Sequence, residues 1–292
     1  MTGRIIKCVA GVFTVTVPDE TRYECKAKGI FRKNGVTPLV GDMVEFEVTD
    51  EKEKEGNILK VMERRNELIR PACANIDQVL LVFATADPEP NYNLLDRFLI
   101  LMMKQAVSVI VCFNKRDIAN DEKIKIIAGN YEASGVKVIF TSVLKGEGTD
   151  EVRKILKGKT TILAGPSGVG KSSMMNLLYP LAGMEVGELS KKIKRGKQTT
   201  RHTELIRIDE DTYLCDSPGF SSVYLTDIDF KDLKLYFPEF KPYEGNCRFI
   251  SCNHINEPDC AVKAALAEGK ISKSRYENYC LLYEQLKDGN RK

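Results

Sequence analysis

The sequence has no long uncharged run of apolar residues, no signal-peptide pattern and no lipidation motif. A membrane-spanning helix needs about 20 consecutive apolar residues, so neither such a helix nor a membrane partner is expected. Cys-x-x-Cys pairing is also absent. Six of the nine cysteines (Cys8, Cys25, Cys73, Cys112, Cys215 and Cys280) are scattered along the chain. Cys112 and Cys215 fall in apolar, strand-like runs, where a reduced thiol behaves as a small hydrophobe. A reducing cytoplasm is the expected setting. Charge of either sign is barely in excess, with 44 basic against 41 acidic residues and a net +3 over 292 residues. That balance gives no argument of its own for nucleic acid, so local basic stretches matter more. Histidine is scarce, at two residues.

What is present begins with a phosphate-binding loop. Gly165-Pro166-Ser167-Gly168-Val169-Gly170-Lys171-Ser172 fits G-x-x-x-x-G-K-[ST]. It follows an apolar run, Thr160–Ala164, and precedes helix-forming residues from Ser173 to Leu178. This is the strand–loop–helix setting in which glycines let backbone N–H groups cradle phosphate oxygens at a helix N-terminus. Lys171 is expected to reach the β- and γ-phosphates, and Ser172 to offer its hydroxyl to Mg²⁺.

A second phosphate element, Asp216-Ser-Pro-Gly219, closes the short apolar run that starts at Thr212. Asp216 would hold a Mg²⁺-bound water and the Gly219 N–H would face the γ-phosphate. Between the two elements lies Lys191–Thr203, with six Lys/Arg and no acid. Its position reads as a switch loop ordered by the γ-phosphate, with Thr199 or Thr200 completing the Mg²⁺ shell. The alternative is a solvated basic loop.

The nucleotide base is read by Asn114-Lys115-Arg116-Asp117, directly after the apolar run Val107–Phe113; Gln78–Thr85 reads as a companion buried parallel strand. Asp117 can accept from guanine N1–H and the exocyclic amine, two donors that adenine lacks. Asn114 would hold purine N7 and the neighbouring loop, and the Lys115 stem would cover the base. The run Val136–Ser142 ends in Thr141-Ser142, suited to buttressing the base through backbone N–H groups. Ordinary GTP-binding domains place the phosphate loop before the base reader. Here the order is reversed, as in a circularly permuted GTPase domain.

Downstream, Cys247, Cys252, His254 and Cys260 fall within fourteen residues. Three thiols and an imidazole form a recognised set for one structural Zn²⁺, closed to substrate because the protein supplies all four ligands. The spacing differs from that of ordinary zinc fingers, and the alternative is incidental buried cysteines. Cys260–Leu286 reads as helical, with Leu266, Tyr276, Tyr279, Leu282, Tyr283 and Leu286 on apolar faces.

Residues 1–66 alternate in short runs: Arg4–Ala10, Val12–Val17, Arg22–Lys28, Met43–Val48 and Ile58–Met62. Five such strands suggest a small barrel, with the oligonucleotide-binding type leading. Arg22, Lys26, Lys28, Arg32 and Lys33, with Tyr23 and Phe31, suggest a basic, aromatic RNA surface. Acids nearly balance bases here, so protein contact or plain scaffolding stays open.

The combination of small barrel, N-K-x-D, T-S, G-P-S-G-V-G-K-S, T-T, D-S-P-G-F and C-x₄-C-x-H-x₅-C resembles the circularly permuted small ribosomal subunit biogenesis GTPases, the ribosome-small-subunit-dependent GTPase A family. The resemblance covers nearly the whole chain. It implies a multidomain protein: an all-β OB-fold barrel over 1–66, a central α/β circularly permuted P-loop GTPase domain over 67–223, and a zinc-binding and helical domain over 224–292. It further implies GTP and GDP as ligands, slow GTP hydrolysis stimulated by the small ribosomal subunit, and binding to that subunit and its rRNA in late maturation. Nucleotide contacts would fall on Asn114–Asp117 and Gly165–Ser173, and zinc on Cys247, Cys252, His254 and Cys260. The family's switch resembles G-x-H-T-T, whereas this chain has Gly196-Lys-Gln198-Thr199-Thr200, with His202 slightly later. Gln198 or His202 is therefore expected to place the attacking water, with Lys171 as the phosphate-binding catalytic lysine. A monomer is expected. Rival readings are a nucleotide-loaded RNA chaperone with incidental hydrolysis and a small-molecule P-loop kinase, the latter disfavoured by Asn114–Asp117.

Overall fold

In the computed structural model of the chain, the described residues are 1–27, 31, 35–69, 71–178, 203–216, 223, 225 and 227–289. They fall into two compact units that alternate along the chain. The first takes Met1–Val79, Asp150–Ala164 and Ser172–Gly219, and the second Leu80–Thr149, Gly165–Lys171 and Phe220–Lys292.

The first unit begins with five strands: β1 (Thr2–Val9), β2 (Val12–Thr16), β3 (Arg22–Ala27), β4 (Met43–Asp50) and β5 (Glu55–Val61). They run β1-β2-β3-β5-β4, and β1 pairs again with β4, closing a barrel of the OB type. The pairs are antiparallel except β3 with β5, which is parallel. The period-two pattern decides what faces inward. On β3, Tyr23 and Cys25 are buried while Arg22, Glu24 and Lys26 are exposed. Tyr23 packs on Phe46 with ring centroids 5.2 Å apart, and Phe31 is also buried. This corrects the expected aromatic RNA surface: both rings are buried, Tyr23 through the alternation of β3. Arg22 and Lys26 do reach solvent; Lys28, Arg32 and Lys33 lie outside the described residues.

After the barrel come two short strands, β6 (Glu67–Leu68) and β7 (Cys73–Ala74), paired with each other. β8 (Gln78–Ala84) is buried throughout. The first unit also holds β11 (Thr160–Ala164), β12 (Glu204–Arg207) and β13 (Tyr213–Asp216), ordered β11-β13-β12-β1. β11 and β13 are parallel, with Leu163 opposite Asp216, so both strands end at the same edge. The polar Gln78 opens β8 inside the first unit, where its amide nitrogen donates to Ile155 O and Thr161 Oγ1.

In the second unit, β9 (Ser108–Asn114) and β10 (Lys137–Phe140) are parallel, with Phe113 opposite Phe140, and β8 is the other neighbour of β9. Helix α1 (Tyr92–Lys104) starts at Asn91, whose side chain accepts from Leu94 N–H. Helix α2 (Asp121–Glu132) starts at Asn120, which accepts from Lys123 N–H, and carries Asp121 and Glu122 in its first turn. Each cap contributes about 1 kcal/mol, and the acids suit the positive helix end. Thr149–Leu156 forms α3 and Lys171–Leu178 forms α4, and both helices belong to the first unit apart from their opening residues.

The C-terminal part of this unit packs 3₁₀ turns at Leu233–Tyr236 and Pro238–Tyr243, the cysteine-rich loop, α5 (Ala261–Ala267) and α6 (Lys273–Gly289) around Leu233, Phe237, Phe240, Val262, Tyr279 and Leu282. The helical stretch expected over Cys260–Leu286 is thus two helices. Gly269, at φ +72°, takes the left-handed conformation that ends α5, and the N–H groups of Gly269 and Lys270 return to Leu266 O and Ala265 O.

Candidate nucleotide site and metal centre

The parallel register of β9 and β10 brings Asn114 and Thr141 together at the ends of their strands. Asn114 is buried and its amide is used on both sides. Its Oδ1 accepts from Thr141 Oγ1 and from Val143 N–H, each at 3.1 Å, and its Nδ2 donates to Val169 O at 2.9 Å. Val169 belongs to the phosphate loop. One side chain therefore ties the base reader to the strand beside it and to the phosphate loop.

Asp117 follows on a single 3₁₀ turn, Arg116–Ile118. Its Oδ1 accepts the Ser142 hydroxyl at 2.5 Å, and that bond holds its carboxyl below the ordinary aspartate range. A fixed, ionised carboxylate at this place suits a pair of guanine N–H donors. The Thr141 and Ser142 N–H groups, expected to face the base, are taken up inside the protein, by Phe113 O and Glu147 O. The strand ladder and the Ser142–Glu147 bridge consume them, so Thr-Ser acts through its hydroxyls. Arg116 pairs with Asp121 on α2 at 3.1 Å, and Lys115 Nζ donates to Asp87 O.

The phosphate loop is shaped by close approach. Gly165 sits at φ +139°, and a Cβ there would lie 2.0 Å from Val82 O. No other residue fits. Val169 is buried and anchors the loop, whereas Ser167 and Gly168 are exposed. Pro166 and Gly170 are half-buried. Lys171 Nζ donates to Gly165 O at 2.7 Å and to Pro166 O. Ser172 and Ser173 are exposed in the first turn of α4. Asp216 ends β13, opposite Leu163, two residues before the loop begins. Gln198, Thr199, Thr200, His202 and Gly219 lie outside the described residues.

The four metal-type side chains converge. Ligand atoms of Cys247, Cys252, His254 and Cys260 all lie within 4.8 Å of one another. Cys247 Sγ is 3.6 Å from His254 Nδ1 and 3.9 Å from Cys260 Sγ, and His254 Nδ1 is 3.3 Å from Cys260 Sγ. Four ligands at zinc–sulfur bond lengths of about 2.3 Å stand roughly 3.7 Å apart on a tetrahedron, so the cluster fits Zn²⁺. Burial, with the Lys234 ammonium near, pulls His254 down to about 4, which keeps its imidazole neutral and able to ligate. Burial pushes the Cys252 thiol up to about 12.

Sequence patterns missed the groups that hold these residues. Thr85, fully buried after β8, donates its N–H to Asn114 O at 2.8 Å and its hydroxyl to Lys115 O at 2.7 Å. His254 is left-handed, at φ +61°, and Glu257 brackets it by accepting from Asn253 N–H at 2.8 Å and Ile255 N–H at 2.9 Å. From α6, the Tyr276 hydroxyl donates to His254 O and the Tyr279 hydroxyl to Asn253 O. The tyrosines were legible only as apolar faces; a carboxylate three residues after a ligand carries no distinctive signal.

Known proteins resemble this chain over nearly its whole length. The family model described as RsgA GTPase matches residues 61–226, and RsgA N-terminal domain matches residues 2–58. The chain is 52% identical to the small ribosomal subunit biogenesis GTPase RsgA of Agathobacter rectalis, over 99% of both chains. It is 46% identical to the protein of that name from Alkaliphilus metalliredigens, again over 99% of both. Among solved structures, YjeQ from Thermotoga maritima superposes with a TM-score of 0.82 at 34% identity, covering 98% of each chain. YloQ, a circularly permuted GTPase, superposes at 0.77 with 37% identity, covering all of this chain and 96% of the other.

Proposed function

The chain belongs to the RsgA GTPase family and is a GTP hydrolase, and from that premise we propose a nucleotide site built from Asn114–Asp117, Thr141, Ser142 and Gly165–Ser173 that serves small ribosomal subunit biogenesis. The observation that carries this reading is the Asn114 Nδ2 to Val169 O bond at 2.9 Å, which joins base reader and phosphate loop despite their reversed order in the chain. Asp117 takes the guanine N–H edge, the Lys115 stem covers the purine, and backbone N–H groups from Gly168 to Ser172 face the phosphates. Lys171 exchanges its loop carbonyls for phosphate oxygens, at little cost because both are acceptors within its reach.

Ser172, Asp216 and Thr199 or Thr200 would hold Mg²⁺, which when bound neutralises charge on the β- and γ-phosphates. Gln198 or His202 would orient water, and the Gly219 N–H would serve the γ-phosphate. Catalysis is then mainly positioning and electrostatics. Zn²⁺ at Cys247, Cys252, His254 and Cys260 would be structural, since four protein ligands leave no open position.

The partner proposed is the small ribosomal subunit and its rRNA, approached by a cytoplasmic monomer, with the GTP form docking and hydrolysis releasing it. The names of the relatives support this, as does the outward face of β3, where Arg22 and Lys26 are exposed. Among the described residues no helix is long and apolar enough to cross a membrane. Domain limits at 66/67 and 223/224 belong to the same proposal; the two family models adjoin near residue 60. The test is GTP turnover with purified small subunits, large subunits and free rRNA. Acceleration by small subunits alone is expected, together with near-complete loss in Lys171→Ala. Unchanged turnover in Lys171→Ala defeats the site, and equal response to both subunits defeats the partner.

A further inference from the structure

We propose that Thr85 is a positioning residue that sets guanine selectivity from outside the Asn-Lys-x-Asp motif. It lies one residue past β8 and is fully buried. Its N–H donates to Asn114 O at 2.8 Å and its hydroxyl to Lys115 O at 2.7 Å. The other anchors of this loop, Thr141, Ser142, Val143 and Val169, bond the side chains of Asn114 and Asp117, and the Thr141 carbonyl also accepts from Arg116 N–H at 3.0 Å. Thr85 bonds backbone carbonyls alone, those of Asn114 and Lys115.

That difference matters because of the conformation it holds. Lys115 is left-handed at φ +62°, an uncommon state for a long side chain. Its carbonyl is fixed from the interior by the Thr85 hydroxyl and from the turn by Ile118 N–H at 3.2 Å. Three residues past β8's end in the same segment, Asp87 O receives the Lys115 ammonium. One stretch of chain thus holds both the carbonyl and the side-chain tip of the residue that would cover the purine. The 3₁₀ turn that starts at Lys115 carries Asp117, so the same bond sets where the carboxylate meets the base edge. Losing the hydroxyl loosens the base end of the site while the phosphate loop keeps its own anchors.

The inference rests on the guanine reading above, and the experiment separates the two. Full-length protein, Thr85→Val and Thr85→Ser are compared for GDP and ADP dissociation constants and for KM and kcat with GTP. Valine keeps the shape and lacks the donor; serine keeps the donor. Removing one buried hydrogen bond predicts about tenfold weaker GDP binding in Thr85→Val. ADP binding should change by less than about twofold, KM should rise and saturated kcat should hold, which is the split of a base-binding loss. Thr85→Ser should keep the parental GDP/ADP ratio. An unchanged ratio in Thr85→Val, or an equal fall in Thr85→Ser, overturns the role of Thr85. A parental chain without GDP preference overturns the guanine reading first, and this inference with it. Should Thr85→Val fail to fold, Thr85→Ala, which adds no bulk, carries the same comparison.

Discussion

Arg275 Nη1 on α6 lies 2.5 Å from Asp96 Oδ1 on α1, although 179 residues separate the two. Both side chains are buried, at 2% and 0% exposure. Glu239 takes the other side of the guanidinium at 2.7 Å and 3.2 Å, and the Phe237 ring stacks on it with 4.6 Å to the centroid. Asn278 and Tyr131 complete the bonding of Asp96. Burial pushes the Asp96 carboxyl up, against the pull of Arg275. The C-terminal helix is thereby joined to α1 and, through Tyr131, to α2, the helix that follows the base reader. Removing one member of a buried ion cluster strands its partners, so Arg275→Met should cost about 3–5 kcal/mol of stability, read from denaturant midpoints. A cost below about 1 kcal/mol would mean the cluster is replaceable.

Asp117 gives a pH dependence with a definite sign. The Ser142 hydroxyl holds its carboxyl below the ordinary range, so the carboxylate persists to lower pH than an isolated aspartate. Guanine binding, which needs that carboxylate, is present above its value and lost as pH falls through it. Ser142→Ala removes the bond and moves the loss upward in pH, toward the ordinary aspartate range. Measuring GDP affinity from neutral to acidic pH in both proteins, the ratio of the two should grow on acidification. A constant ratio contradicts the assignment.

Gly165→Ala should abolish nucleotide binding. The added Cβ would meet Val82 O at 2.0 Å, a backbone atom in a buried strand that has nowhere to retreat. A loss of stability above about 3 kcal/mol, or displacement of the loop with loss of GDP binding, is expected from calorimetry. Parental GDP affinity in this variant would show that the loop is not held as described.

Glu257→Ala should weaken zinc without touching a ligand. The carboxylate holds the N–H groups on either side of His254, and burial opposes its charge while those backbone bonds keep its value low. Loss of such a supporting partner lowers metal affinity about 10–100-fold. Competition with a chromogenic chelator reads this directly. Cys252→Ser, which removes a ligand, should release the ion outright; retention of one zinc per chain in both variants would disprove the centre.

Much of the site was legible because its chemistry is local. Eight consecutive residues make the phosphate loop, four make the base reader, and fourteen hold the cysteine–histidine cluster. The barrel was legible too, since β2 and β3 alternate with period two in a register that the pairing of Val15 with Tyr23 preserves. Three readings went astray for physical reasons. Alternation that marks a strand does not say which face is inner, and Tyr23 turned inward. The apolar spacing of Cys260–Leu286 is continuous across Gly269, where the backbone leaves the helix. The Thr141 and Ser142 N–H groups were assigned to ligand, although the ladder claims them.

By itself the sequence determined the barrel strands, the phosphate-loop pattern, the cysteine–histidine cluster and the reversed motif order, all consequences of spacing along the chain. Only the tertiary structure decided what holds them: Thr85 behind Lys115, Glu257 around His254, and Arg275 against Asp96. Those partners are 30, 3 and 179 residues apart. A buried donor finds whichever acceptor packing brings to it, and packing is a property of the assembled core, so no period in the chain announces such pairs.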